Sequence, residues 1–301
     1  MIENNTLVSF DRNLRKRKRL PEWLRVRLAD NVVHGNTANI ISENKLNTVC
    51  QSARCPNLGE CWGRGTATFM ILGDICTRGC KFCAIATGKP NAVDEDEPLR
   101  VADAALKMKL NWIVLTSVDR DDLPNGGAEH FVNVIAALRK ALPRTGIEAL
   151  IPDFRRKPGA VDIIMQQPPD VLNHNIETIP RLYRTVRQGA NYQHSIDLIR
   201  QFSDFGLITK SGLFMGVGES IDEIKAVLKD LREAGCRSLT IGQYLQPSFN
   251  HLTVERFVHP DEFAEMALYA ESIGFDHVSA GPLVRSSYHA EEAVKVYNLS
   301  F

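Results

Sequence analysis

The sequence has no run of eighteen apolar residues, so no part of it is long enough to cross a bilayer as a helix. Its first residues, MIENNTLVSFDRN, hold two acids and no apolar core. They do not read as a secretory signal, and they lack the Arg- and Ser-rich, acid-poor character of a transit peptide. Net charge is also missing: 36 basic residues balance 36 acidic ones. Whole-molecule electrostatics therefore recruit neither nucleic acid nor an anionic membrane. No Gly-x-Gly-x-x-Gly follows the first strand-like run, so nothing marks a dinucleotide fold. There is no internal repeat and no low-complexity segment. Together these absences predict a cytoplasmic protein whose cysteines stay reduced, and the odd number of them, 7, already excludes complete disulfide pairing.

What is present is an ordinary globular composition, 44% hydrophobic and 24% charged over 301 residues, long enough for one α/β barrel. From residue 66 onward, β-branched apolar runs alternate with amphipathic stretches. The runs cover 66–73, 111–118, 146–153, 170–177, 207–217 and 238–245, with a seventh, shorter run at 275–282. Residues 220–235 open on a capping box, Ser220 with Glu223, and end at Gly235. Strand–helix repeats of this length imply parallel strands with right-handed crossovers. Six units fall short of the eight that close a full barrel. The predicted fold is a partial, laterally open (β/α)6 TIM-type barrel over 66–280. An N-terminal extension, 1–65, and a C-terminal segment, 281–301, complete it. A doubly wound sheet is the alternative; in either, the site lies at the carboxyl ends of the strands. Outside this rhythm lies the basic run 12–28, where Trp23, Leu24 and Leu28 interleave with the charges. It reads as an arm that docks on something, an acidic partner being one candidate, with a nucleic acid as the alternative. The acidic loop 94–98 reads as solvated surface.

Chemistry enters at CTRGCKFC, where Cys76, Cys80 and Cys83 fall within eight residues. Thiolates suit zinc or iron–sulfur clusters. Three of them can wrap three corners of a [4Fe–4S] cubane and leave the fourth iron open, while a structural zinc site would need a fourth ligand from elsewhere. Gly79 lets the loop turn, and Arg78 and Lys81 are expected to lower the thiol pKa values. Cys-x3-Cys-x2-Cys, with Phe82 before the last cysteine, resembles the signature of the radical S-adenosylmethionine (SAM) enzymes. The resemblance implies a partial or full barrel and an open iron chelated by SAM. It also implies reductive cleavage of SAM to a 5′-deoxyadenosyl radical that abstracts hydrogen from unactivated C–H bonds.

A second triplet, Cys50-x4-Cys55-x5-Cys61, precedes the first. Alone it leaves zinc open as well. Cys236 stands apart and reads as a buried apolar residue. The two triplets together resemble the lipoyl synthase family, and so do TSVDRDDLPNGGAEHF, VLNHNIET, TKSGLFMGVGE, QYLQPS and RSSYHAEE over nearly the whole chain. That resemblance implies a second, auxiliary [4Fe–4S] cluster on Cys50, Cys55 and Cys61, with Ser287 of Arg285-Ser286-Ser287-Tyr288 as the fourth ligand. The implied reaction inserts two sulfur atoms, at C6 and C8 of an octanoyl group amide-linked to a lysine of a lipoyl carrier domain. It consumes two SAM and draws the sulfur from the auxiliary cluster. Implied partners are octanoylated carriers (2-oxoacid dehydrogenase E2 subunits and the glycine cleavage H protein), an electron donor such as ferredoxin or flavodoxin, and an iron–sulfur carrier that rebuilds the spent cluster. No acid or base is needed, because the clusters carry the chemistry.

The strand ends offer SAM contacts. Alternation puts Asn175 and Glu177 on one face, toward the ribose, and His174 on the other as a satisfied structural histidine. Ser117 and Asp119 approach the SAM amino group, loop capping being their ordinary alternative. Lys210 needs an anionic partner, the SAM carboxylate or Glu219, and Gly216 marks a close approach of backbone to ligand. His251 and His259 receive no role. The rivals are a biotin synthase-like sulfur-inserting radical enzyme and, from another class, a non-catalytic zinc protein whose basic arm binds nucleic acid.

Overall fold

Seven of the apolar runs become parallel neighbours in one sheet. The computed structural model describes residues 19–26 and 32–299; residues 12–18 and 27–28 of the basic run lie outside these. Strands β1 (Asn47–Thr48), β2 (Thr68–Ile71), β5 (Trp112–Ser117), β6 (Gly146–Leu150), β7 (Val171–Asn173), β8 (Ile208–Met215), β9 (Ser238–Gln243) and β10 (His277–Gly281) make the sheet, and β3 (Ile75–Cys76) with β4 (Ala86–Thr87) make a separate pair. The order is β1-β2-β5-β6-β7-β8-β9-β10. Among the described residues, only β1 runs antiparallel, on β2. Their sheet ends at β1 on one side and β10 on the other, with no ladder between the two, so it is an open barrel.

The connecting helices are α1 (Val32–Glu43), α2 (Val49–Ser52), α3 (Leu58–Gly63), α4 (Glu97–Lys107), α5 (Ala128–Ala141), α6 (Ala160–Ile164), α7 (Tyr183–Val186), α8 (Tyr192–Asp204), α9 (Ile221–Glu233), α10 (Pro260–Ser272) and α11 (Ala293–Val296). Local chemistry explains the clearest of them. In α9 the Ser220 hydroxyl accepts from the Glu223 amide and the Glu223 carboxylate accepts from the Ser220 amide. Its apolar stripe, Ile224, Val227, Leu228 and Leu231, is buried against the sheet. Gly235 ends it at φ +86°, where a Cβ would lie 2.1 Å from Ser203 Oγ.

Under the barrel, Trp112, Val114 and Val171 pack on Ala290, Tyr297 and Leu299 of the C-terminal segment. Inside, Lys210 donates to both carboxylate oxygens of Glu148 at 2.9 and 3.0 Å, and Asn173 donates to the same carboxylate. Above that polar floor the interior is hollow. Thr68 and Met70, Val114 and Thr116, and Gly212 and Phe214 all face a cavity of about 1060 Å³.

The arm's described part docks on this chain itself. Leu24 is buried, and the Trp23 ring meets His259, which caps α10, edge-on at 5.1 Å. The acidic loop also departs from expectation. Glu97 is buried, accepting from the Leu72 amide and pairing with His130 at 2.7 Å.

Candidate functional site

Cys76 closes β3, and the loop after it rises over the carboxyl ends of the sheet, where Cys76, Cys80 and Cys83 all face the cavity. The loop is moored from several directions. Thr77 and Asp121 tie it to the end of β5: the Thr77 amide and hydroxyl both donate to Asp119 O, and the Asp121 amide donates to Thr77 Oγ1. Lys81 N donates to Val186 O, Leu252 N to Lys81 O, and His251 Nε2 sits 2.9 Å from Cys83 O. His251, which carried no assignment, thus braces the loop across 168 residues. Its nearest sequence cue is its place in a loop after a strand, too general to find it.

Arg78 is the strongest mooring. It binds Asp121 with two hydrogen bonds, at 2.8 and 2.7 Å, meets Asp153 at 2.7 Å and lies 3.6 Å from Asp119. Asp153 reaches it from a turn in which Phe154, Arg155 and Arg156 are all left-handed, at φ 47°, 49° and 57°. Non-glycine residues adopt that region at a cost. Here the surroundings hold it: Phe154 is buried, and Arg155 pairs with Asp121. With its guanidinium engaged by three carboxylates, Arg78 lowers Cys76 through its backbone amide, which donates to the Cys76 sulfur, and this does not offset burial. Burial, followed by the charge of Asp119, pushes Cys76 up to about 11 and Cys80 up to about 12; burial pushes Cys83 up to about 11. Neutral thiols suit the metal-free protein, and a bound metal supplies the charge that deprotonates them.

Five of the residues expected to meet SAM line the same cavity: Phe82, Ser117, Asp119, Asn175 and Glu177. Two of them present buried polar atoms with no hydrogen-bond partner, Ser117 Oγ and Asn175 Oδ1. Orphaned buried acceptors and donors are costly unless a ligand completes them. Gly212 makes room for Asn175, since a Cβ there would lie 2.8 Å from its Oδ1. Glu177 sits at φ +67°, and burial raises its pKa. Arg187, which the sequence did not single out, also lines the cavity, held by Asn175 O, Tyr183 OH and Ser195 Oγ. Phe82 packs at a tilt against Phe214 at 5.1 Å, and Phe214 against Tyr244 at 5.3 Å, giving the cavity an apolar wall.

Two expected contacts are not brought there. Lys210 is satisfied by Glu148 in the barrel floor, neither by a ligand nor by Glu219. Glu219 instead accepts from the Gly216 and Val217 amides. At Gly216 the close approach is to protein: a Cβ would lie 2.2 Å from Gln243 Nε2 and 2.6 Å from Arg256 O. His174 is buried between Ile151 O and Ser195 Oγ.

The second triplet occupies the gap between the sheet's two ends. Cys50 lies in α2, Cys61 in α3 and Cys55 in the turn between them. The C-terminal segment folds back onto this turn. Asn57 Nδ2 donates to Leu283 O at 2.7 Å, Tyr288 OH to Glu60 at 2.9 Å, and Arg64 pairs with Glu291. Cys50, Cys55, Cys61 and Ser287 thereby face the same cavity as the first triplet. Burial, reinforced by the charges of Cys50, Cys55 and Glu60, pushes Cys61 up to about 12.

The donor set fits iron–sulfur clusters. Six soft thiols stand in two groups of three on one cavity, and all of them are free of disulfides. Among the described residues, no three His, Cys, Asp or Glu side chains converge closely enough to hold one metal ion.

The chain is similar to known proteins. The radical SAM superfamily profile matches residues 70–231. A lipoyl synthase from Chlorobium phaeovibrioides is 53% identical over 277 residues, covering 91% of this chain and 98% of its own. One from Acidithiobacillus ferrooxidans is 54% identical over 276 residues, with 91% and 87% covered. One from Chromobacterium violaceum is 51% identical over 288 residues, with 95% and 90% covered. Among solved structures, Streptococcus suis SuiB bound to precursor peptide SuiA aligns with a TM-score of 0.56 at 12% identity. The alignment covers 70% of this chain and 48% of SuiB, so this chain spans about half of that protein. The FeFe-hydrogenase maturase HydG from Carboxydothermus hydrogenoformans aligns at 0.55 and 12% identity, covering 77% and 65%. At such identities these two share the fold alone.

Proposed function

The chain belongs to the lipoyl synthase family of the radical SAM superfamily, and from that premise we propose how its cavity divides the work. It is a sulfur-inserting radical SAM enzyme that uses SAM and [4Fe–4S] clusters and acts on octanoylated lipoyl carriers. When bound, the clusters and SAM supply a carbon radical able to break unactivated C–H bonds, and the sulfur that takes the place of hydrogen. The chain's own residues hold and aim. Cys76, Cys80 and Cys83 hold the SAM-binding cluster. Ser117 and Asp119 orient the methionyl end of SAM, Asn175 and Glu177 the ribose, and Phe82 walls the site. Cys50, Cys55, Cys61 and Ser287 hold the auxiliary cluster, with the serine the ligand most readily released, because its hard oxygen is a poor match for soft iron beside thiolate.

One observation carries this division: both triplets, the serine and the orphaned Ser117 and Asn175 atoms line a single cavity. An acyl chain lying in it would pass between the two clusters, and the unjoined sheet edges offer the protein-borne chain a lateral entrance. The same reading divides the chain into a cluster-binding extension over 1–65, the barrel over 66–280 and a ligand-bearing segment over 281–301. It adds a ferredoxin or flavodoxin donor, an iron–sulfur carrier that rebuilds the auxiliary cluster, and a cytoplasmic setting, in keeping with seven unpaired cysteines.

The test is anaerobic incubation of the reconstituted chain with an octanoylated lipoyl-domain peptide, SAM and reductant, followed by mass spectrometry. The peptide is expected to gain two sulfurs. Formation of 5′-deoxyadenosine with an unmodified peptide would overturn the assignment of substrate. The parent chain is expected to hold about eight iron, and two zinc with no iron would overturn the cluster assignment altogether.

A further inference from the structure

Arg285 precedes Ser287 by two residues and lines the cavity beside it. Strand β9 makes room for it. Gly242 faces inward, and a Cβ there would lie 2.2 Å from Val284 O and 3.2 Å from Arg285 Nη1. The barrel wall thus omits a side chain where the C-terminal segment carries a guanidinium into the interior. That guanidinium is poorly satisfied. Its hydrogen bond, 2.6 Å from Nη1, goes to the carbonyl of its own neighbour Val284. No carboxylate among the described residues lies within ion-pair distance of it, whereas Arg78 and Arg64, on the same cavity, both have carboxylate partners. It shares the cavity with Cys55 and Ser287.

A half-buried cation without a counter-ion is a cost to the folded chain, so its place needs a reason. The second triplet supplies one. A [4Fe–4S] cluster in its oxidised resting form, held by three thiolates and a serine oxygen, carries a net charge of about −2. We propose that Arg285 is a positioning residue for that group, its standing counter-charge, steadying the excess negative charge beside Cys55 and helping to keep Ser287 bound until sulfur is given up. The proposal rests on the reading of Cys50, Cys55, Cys61 and Ser287 as cluster ligands. It accounts for the pairing of an arginine with a gap in β9, which the ligand set alone does not require.

The test uses the full-length chain with Arg285→Met, which removes the charge at similar length, and Arg285→Lys, which keeps it. In the cluster-free protein, Arg285→Met is expected to leave the melting temperature unchanged or to raise it, because an unpaired, half-buried charge has been removed. In the reconstituted protein the same variant is expected to lose the iron of the second cluster to a chelator about tenfold faster, the scale of an outer-shell contact. The midpoint potential of that cluster, followed by EPR, should become more negative, since a nearby cation favours the reduced, more negative state. Arg285→Lys should recover most of both shifts. A purely structural arginine predicts the reverse: a lower melting temperature in the cluster-free chain, with unchanged potential and iron release. That result, or a Lys variant no better than Met, would overturn the proposal. A parent chain holding about four iron instead of about eight would remove the underlying ligand reading before any variant is compared.

Discussion

Arg78→Ala is the most telling perturbation of the cluster loop. The substitution deletes the cation on which three carboxylates converge, Asp119, Asp121 and Asp153. Two of these have little access to water: the side chains of Asp121 and Asp153 are 10% and 2% exposed. Burial alone would raise the Asp153 pKa, but hydrogen bonding to Arg78 and the charges of Arg78 and Arg187 hold it well below the usual carboxylate range. Removing one partner of such a buried network costs roughly 3–5 kcal/mol, mostly the penalty of the carboxylates left behind. With ~2.1 cal/mol/K of unfolding entropy per residue, 301 residues convert that loss into a fall of about 5–8 °C in melting temperature. Calorimetry on the cluster-free chain reads it directly. If stranded carboxylates are the cause, adding Asp121→Asn and Asp153→Asn to Arg78→Ala should recover at least half of the loss. A single variant melting within about 1 °C of the parent, or a triple variant no better than the single, would refute the reasoning.

Three further outcomes follow from the same geometry. Cys80→Ala should abolish 5′-deoxyadenosine formation, while Cys55→Ala should leave reductive SAM cleavage largely intact and yield no C–S bond; loss of cleavage in a folded Cys55→Ala protein would undo the division of roles. Gly242→Ala should push Val284 and the residues behind it out of place, cutting bound iron from about eight to about four while 5′-deoxyadenosine still forms, as iron analysis and product assay would show. His174 is held neutral, chiefly by burial and then by the charge of Arg187, with its pKa lowered from 6.5 to about 3. The unfolded chain therefore binds a proton that the folded chain refuses. This contribution to stability is present above pH 6.5 and is lost as pH falls toward 3, at roughly 1.4 kcal/mol per pH unit. His174→Gln should flatten that part of the acid-unfolding profile, and an unchanged slope would exclude His174 as its source.

The barrel was readable from sequence because its signal is local. Each β-branched run from 66–73 to 275–282 contains one observed strand of the sheet, β2 or β5 to β10, and the capping box at Ser220 formed as drawn. The motifs name the six clustered cysteines, the family resemblance names Ser287, and one cavity is lined by all of them. What escaped depends on partners far along the chain. The charge of Lys210 suggested a ligand, but its answer, Glu148, sits 62 residues away on the inner face of another strand. Glu97 looked like part of a solvated acidic run until helix α5 brought His130 over it. Nothing in PDFRRKPG announces three left-handed residues in succession, because neighbours, not propensity, hold them there. Arg78 was read as a charge near thiols when the structure uses it as a fork for carboxylates.

The seam between the chain's two ends has a consequence for biosynthesis. The contacts from Asn57 to Leu283 and from Tyr288 to Glu60 join residues 226 and 228 positions apart. On the ribosome, Cys50, Cys55 and Cys61 emerge first yet must wait longest for the strand of chain that completes their surroundings. The later triplet, at Cys76, Cys80 and Cys83, has its last hydrogen-bonded supports in place once His251 and Leu252 have appeared. The chain positions that complete the two triplets' surroundings thus come in the reverse of the triplets' order in the sequence. On the proposed division of roles, a chain cut short before residue 283 would retain Cys76, Cys80 and Cys83 with His251 and Leu252, and would lack Ser287 and the contacts to Asn57 and Glu60.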